Sequence, residues 1–248
     1  MQATWMLTLI EVKMFFREKQ AVFWTFLFPL VFLWIFGSFY NSMEIREVNF
    51  SQHYVPAWIA VNLLTTAFFT LGTILTVYRE QDILRRFRIS PLEPWMILLA
   101  HTLHGLFIFV ISIFILLIFG YLFYDLTFPK QIWSTVFAVI LSTCAIFPLG
   151  MFFTSLAKST RTASAISSVF LNISIFLSGA TFPVDVLPYY LKVFAKLLPL
   201  YYAVEFIRGT WNGNHLQVHQ QEIIILSMLS IVTIFLSVKY FKWSKQEV

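Results

Sequence analysis

An all-α integral membrane protein with six transmembrane helices is the fold class this sequence predicts, and three observations predict it. Hydrophobic residues make up 59% of the 248 positions, charged residues only 12%, and Phe alone supplies 29. A soluble domain of this size could not hide that much apolar surface, because surface charge keeps such domains dispersed. Several uncharged runs reach the ~20 residues needed to cross a hydrocarbon core about 30 Å thick. The charges gather in short segments between those runs, so the net charge of +5 reports topology and not a nucleic-acid partner. Cys144 is the sole cysteine and lies in an apolar run, which excludes an intrachain disulfide and a cysteine-based metal cluster. No small-residue cleavage site follows the first apolar run, so that run reads as a retained span.

Residues 1–248 read as one transmembrane unit. The segment 2–20 carries Trp5, Leu9, Val12 and Phe16 on one helical stripe, with Glu11, Lys13, Arg17, Glu18 and Lys19 on other faces. It is too charged to span and suits a helix lying in the membrane interface; a frayed charged extension is the bland alternative. Span one is 21–40, with Pro29 tolerated because neighbouring spans can satisfy the carbonyl it frees. Span two is 54–78, and its Asn62, Thr66, Thr70 and Thr73 recur at helical spacing. Spans three, four and five are 94–124, 131–157 and 162–181, the last with Ser164, Ser168 and Asn172 four apart. The piece 182–214 is apolar but broken by Pro183, Pro188 and Pro199, and fits short re-entrant helices shielded by protein or water. Span six is 223–238, extended by Lys239 snorkelling to the interface.

The segment 79–91 is the most distinctive. It is charged, lies between two spans, and places Asp82 four residues before Arg86, the acid-before-base order that supports a helix. Ile83, Leu84 and Phe87 give it one apolar edge, and Ser90-Pro91 ends it. A soluble partner could grip such a rod; a solvated turn whose arginines only fix topology is the other reading. With both termini, 79–93 and 158–161 on one side, that side holds twelve of the seventeen Lys and Arg residues, while the acidic residues divide six and six. The positive-inside rule then makes both termini cytoplasmic.

Candidate chemistry is sparse. The hydroxyl stripes on spans two and five could line a path for an amphipathic substrate, or could be packing contacts between helices. His101 and His104 stand at i, i+3 without a carboxylate nearby in sequence, which favours a structural role over a metal site. His215, His219 and Glu222 would share a face on a helix, but Asn212-Gly213-Asn214 is a turn signal just before them, and no metal is assigned. Glu205 and Arg208 could neutralise each other at the edge of the apolar region or form a solvated pair. There is no G-x-x-x-x-G-K-[ST] phosphate loop, no H-E-x-x-H and no G-x-S-x-G. No acidic residue lies at the centre of a span, which argues against an ion-coupled carrier. Energy must come from elsewhere, or transport is passive.

Four pieces resemble one family. They are the N-terminal helix leading into Phe26-Leu27-Phe28-Pro29; Arg79-Glu80 with Leu84 and Ser90-Pro91; Ser178-Gly179-Ala180-Thr181-Phe182-Pro183 followed by Leu187-Pro188; and Leu198-Pro199-Leu200-Tyr201-Tyr202 with Arg208. In this order and spacing they resemble an ABC-2 type permease subunit of bacterial ATP-driven exporters. Gln81-Asp82 stands where that family often has a glycine after the Arg-Glu pair. The resemblance implies a multi-pass protein of the bacterial cytoplasmic membrane that is not itself an enzyme. It implies a coupling helix at 79–91 whose Arg79, Glu80, Ile83, Leu84, Arg85 and Phe87 meet the partner. That partner would be an ATP-binding subunit, in two copies, which holds ATP and Mg, the permease itself carrying no cofactor. A second permease, identical or homologous, would complete the assembly, with Asn62, Thr66, Thr70, Thr73, Ser164, Ser168 and Asn172 along the path between permeases. The implied cargo is a small amphipathic drug or antibiotic, with resistance as the outcome. Polysaccharide or lipid export is the rival within the family, and a passive channel, a secondary carrier or an intramembrane enzyme the rival outside it.

Overall fold

The computed structural model describes residues 2–42, 50–81, 83 and 94–239, and every regular element among them is helical. In chain order these are α1 (Gln2–Arg17), α2 (Lys19–Val22), a π-helical segment (Phe23–Leu27), α3 (Phe28–Ser42), α4 (Phe50–Thr65), a second π-helical segment (Thr66–Gly72) and α5 (Thr73–Glu80). They continue with α6 (Pro94–Tyr124), α7 (Ile132–Ser155), α8 (Thr160–Leu177), α9 (Tyr189–Ala195), α10 (Pro199–Trp211) and α11 (Gln220–Lys239). Among the described residues, five helices are long and apolar enough to cross a membrane: Phe50–Glu80, Leu99–Tyr124, Ile132–Ser155, Thr160–Leu177 and Leu216–Ser237. The expected first span, 21–40, is present as a shorter apolar helix over Phe23–Ser38.

Span two, Phe50–Glu80, is the axis of the bundle and the most enclosed of the five. Trp58, Leu63, Leu64, Phe68 and Leu71 are fully buried, and α6, α7 and α10 pack around them. Its polar residues explain its place, since Asn62, Thr65, Thr66, Thr70 and Thr76 are also buried and need partners that lipid cannot supply. Gly150 of α7 lets that helix approach span two so closely that a Cβ there would collide with the Ala67 carbonyl.

Among the described residues, Pro29, Pro56 and Pro148 lie inside helices, and each frees the carbonyl four residues earlier. Each freed carbonyl is met by a side chain from another element. Opposite Pro29, the Thr25 carbonyl accepts from Asn62 Nδ2 at 3.4 Å and Ser112 Oγ at 3.3 Å. Opposite Pro56, the Gln52 carbonyl accepts from Asn212 Nδ2 at 3.4 Å. Opposite Pro148, the Cys144 carbonyl accepts from Ser230 Oγ at 3.1 Å. The π-helical segment Phe23–Leu27 stands just before Pro29, where the ring cannot fit a regular α-helical ladder.

The N-terminal helix has an exposed apolar face and a buried, partly polar one. Trp5, Leu9 and Phe16 of the expected apolar stripe are outward and exposed, while Thr4, Thr8, Glu11 and Phe15 form the buried stripe against α6. The expected broken segment 182–214 holds the 3-10 turn Val184–Val186 and the helices α9 and α10. Of these, α10 is packed against α4 and α7, with Ala203, Val204, Phe206 and Ile207 fully buried.

Candidate functional site

At one end of the bundle a cleft of about 790 Å³ opens between α1, the start of span one, span two and the start of α8. Phe15, Trp24, Phe69, Ile74 and Tyr78 give it apolar and aromatic walls, while Thr25, Thr70, Thr73, Thr160 and Ser164 supply hydroxyls. Arg17 and Glu18, both exposed, stand at its mouth. The cleft therefore offers broad aromatic surface with a few hydrogen-bonding groups, the lining that suits an amphipathic guest.

The expected path residues divide. Thr70, Thr73 and Ser164 come together on the cleft wall from two different spans. Asn62 and Thr66 do not reach it. Asn62 donates to Ser112 Oγ and to the Thr25 carbonyl, and Thr66 Oγ1 donates to Asn62 Oδ1 at 3.4 Å. The spacing suggested one face, but the π-helical segment Thr66–Gly72 intervenes, and its wider turn rotates Thr73 relative to Asn62. Thr73 Oγ1 accordingly reaches back five residues, to the Phe68 carbonyl at 3.2 Å. Ser168 Oγ and Asn172 Nδ2 donate to carbonyls of their own helix, Ser164 and Ser168, each at 2.8 Å. Asn172 is exposed on the outer face of α8.

Arg79 and Glu80 close the end of span two onto two other spans. Arg79 is 4% exposed; its Nη1 donates to the Ser155 carbonyl at 2.7 Å and its Nη2 to the Ala157 carbonyl. These carbonyls, at and just beyond the C-terminus of α7, have no partner within that helix, and a cation is favoured there. Glu80 Oε2 accepts from the Thr160 backbone N–H at 2.8 Å and from Thr160 Oγ1 at 2.5 Å, at the N-terminus of α8 where an anion is favoured. Consecutive residues thus bind the end of one helix and the start of the next. Ile83 is partly buried against Tyr78 and Ile97. Leu84, Arg85 and Phe87 lie outside the described residues.

At the opposite end of span two, Arg208 gathers three partners. It pairs with Glu205, and its Nη1 donates to the Gly179 carbonyl at 3.1 Å and meets His53 Nε2 at 3.0 Å. Gly179 follows α8 with φ of 85°, the left-handed conformation common just past a helix end. Two of the motifs singled out in the sequence, 178–183 and 198–208, are therefore joined through Arg208.

Among the described residues no three His, Cys, Asp or Glu side chains are grouped so that they could hold an ion. His215 Nδ1 meets Gln131 Nε2 at 2.9 Å, while His219 Nδ1 lies 3.6 Å from Glu222 Oε2, so the trio is divided. His101 and His104 do have a carboxylate nearby, which the sequence reading missed. Glu11 Oε2 lies 2.8 Å from His101 Nδ1 and 3.7 Å from His104 Nδ1, with all three side chains buried. The available signal was the stripe Thr4, Thr8, Glu11 on α1, polar residues that are buried and so need protein neighbours.

The comparisons with known proteins agree with this architecture. The model of the ABC-2 type transporter family matches residues 2–211. The chain is 23% identical over 248 residues to a Bacillus subtilis (strain 168) protein named as a transport permease, YvfS, covering 97% of this chain and 96% of that one. It is 26% identical over 156 residues to a protein named as a multidrug ABC transporter permease, YbhR, of Escherichia coli (strain K12), covering 62% of this chain and 42% of the other. Nodulation protein J of Rhizobium leguminosarum bv. trifolii is 32% identical over 99 residues, 40% of this chain and 38% of that protein. With the family model spanning nearly the whole sequence, from the N-terminal helix through α10, the chain belongs to the ABC-2 type transporter family.

Proposed function

We propose that this chain is the membrane-spanning permease subunit of an ATP-driven exporter that moves an amphipathic drug or antibiotic outward and gives resistance. Span 21–40 completes a set of six, both termini are cytoplasmic, and the cleft opens toward the cytoplasmic leaflet. Two ATP-binding subunits supply ATP and Mg and grip the 79–91 segment, a second permease completes the pore, and no nucleic acid is involved. The observation that carries this reading is the cleft itself. Thr70 and Thr73 of span two and Ser164 of span five line it together, inside aromatic walls and next to the Arg79–Glu80 junction.

The mechanism follows from that junction. A partner pulling on 79–91 moves the end of span two, and Arg79 and Glu80 pass the displacement to α7 and α8. The Thr160–Ser164 wall of the cleft is the first turn of α8, so its position changes with Glu80. The outer face of α8 supports a second permease there. It is the least apolar of the five long helices, yet it is largely uncovered and presents Asn172 outward.

The name of YbhR supports a multidrug cargo, and the aromatic lining supports an amphipathic one. The test is affinity purification from native membranes followed by ethidium efflux in cells. A co-purifying Walker-motif ATPase, and efflux lost at least tenfold on Ser164→Trp, are the expected results. Ethidium efflux by the purified chain without any ATPase would sink the proposal in favour of a passive carrier. Lipid or polysaccharide accumulation in deletion cells, with drug sensitivity unchanged, would move the cargo to the other branch of the family.

A further inference from the structure

Glu11, His101 and His104 are buried to 1%, 0% and 0% exposure, and the mechanism above does not use them. They lie where α1 crosses the start of α6. Thr8 Oγ1 reaches the Ala100 carbonyl at 3.3 Å one turn away, and the Phe15 ring meets the His104 ring edge-on at 5.9 Å. The Glu11–His101 approach is a close contact at 2.8 Å without hydrogen-bond geometry, and among the described residues neither the Glu11 oxygens nor the four ring nitrogens have a hydrogen-bond partner. Separating α1 from α6 would part the Glu11 carboxyl from the two imidazoles among apolar side chains, and a buried polar group with no polar neighbour is costly. The same helix supplies Glu11, Met14, Phe15, Arg17 and Glu18 to the cleft.

We infer that Glu11 and His101, backed by His104, are positioning residues that fasten the N-terminal helix to span three as a fixed wall of the cleft, so that the opposite wall does the moving. This rests on the exporter reading given above. The moving wall is the start of α8, held by Glu80, and the fixed wall is α1, held by His101. Tyr78, whose ring lies 5.4 Å from that of His101, sits where span two meets the fixed wall. The N-terminal helix therefore does not act as a lid that swings away to admit cargo.

The experiment uses the transporter in native membranes with its own ATPase, in a Cys144→Ser background. The readout is the maleimide labelling rate of Ser164→Cys in the cleft, with and without ATP. Thr8→Cys and Ala100→Cys are then joined by a disulfide, locking α1 to span three. The expected result is an ATP-dependent change in labelling that the disulfide leaves within twofold. Loss of that change on locking would overturn the inference, because α1 would then have to leave span three in each cycle. If no ATP-dependent change exists before locking, the exporter reading itself falls, and the fixed wall with it. Glu11→Ala should reduce the change at least tenfold, and exchanging the partners, Glu11→His with His101→Glu, should restore most of it. A well-assembled exchange variant that stays as impaired as Glu11→Ala would also overturn the pairing.

Discussion

Arg79 shows how a single side chain can be misjudged from its neighbours. In a charged segment between two spans it looks like surface, yet it is buried, and its guanidinium serves carbonyls at the end of α7. Removing it leaves the Ser155 and Ala157 carbonyls without that donor, at a cost of roughly 1–3 kcal/mol. Arg79→Ala is accordingly expected to lower the midpoint of denaturation in detergent. Arg79→Lys should fall between the two, since an ammonium keeps the charge but not the planar fork. Equal midpoints for all three would show that the contact contributes nothing. Glu80→Gln keeps an acceptor for the Thr160 N–H but loses the charge at the N-terminus of α8, a smaller effect of about 0.3–1 kcal/mol. The sequence identified this Arg-Glu pair as important. It could not show which way the pair points, because direction depends on helix ends some 75 to 80 residues further along the chain.

At the scale of elements, prolines and their remote partners decide how helices join. Pro148 frees the Cys144 carbonyl, and Ser230 of α11 takes it up. In a Pro148→Ala background the restored N–H can serve that carbonyl itself. Ser230→Ala is then expected to cost about 0.5–1.5 kcal/mol in the natural chain and close to nothing once Pro148 has been replaced. Additive effects in this double-mutant cycle would refute the pairing. Gly150 offers a second check, because the obstacle to a side chain there is the Ala67 backbone. Gly150→Ala should destabilise by roughly 1–3 kcal/mol through overpacking, read from the same denaturation midpoints. Sequence patterning placed most of these helices within a few residues, since apolar length is a local property. It missed the π-helical segment in span two and so put Thr66 and Thr73 on one face, because the extra residue in a turn leaves no trace in hydropathy.

For the whole molecule, the distribution of burial is the informative quantity. Span two is the most enclosed, and its buried Asn62, Thr65, Thr66, Thr70 and Thr76 are kept from lipid, which penalises polar groups. The least apolar long helix, α8, lies largely open, as does the helix through Leu216–Ser237. Under the proposed function, a second permease covers the open face of α8. Asn172→Cys in a Cys144→Ser background should therefore form a disulfide-linked dimer in membranes when the partner is an identical copy. When the partner is a homologous chain, it should crosslink to that chain instead. Absence of any crosslink along the exposed face, from Ser168→Cys through Phe176→Cys, would place the subunit interface elsewhere.

By itself the sequence determined that the chain lives in a membrane, roughly where its helices run, and which segments stand out between them. Each of these follows from local composition, because a bilayer sorts a polypeptide by runs of apolar residues. The tertiary structure alone decided which polar groups serve the cleft and which serve the helices. Glu11 meets His101 ninety residues away, the Thr25 carbonyl meets Asn62 and Ser112, and Thr70 and Ser164 line one cleft. Where a polar side chain in lipid does not bond a carbonyl of its own helix, as Ser168 and Asn172 do, its partner lies on another helix, and no spacing along one helix records which helix that is.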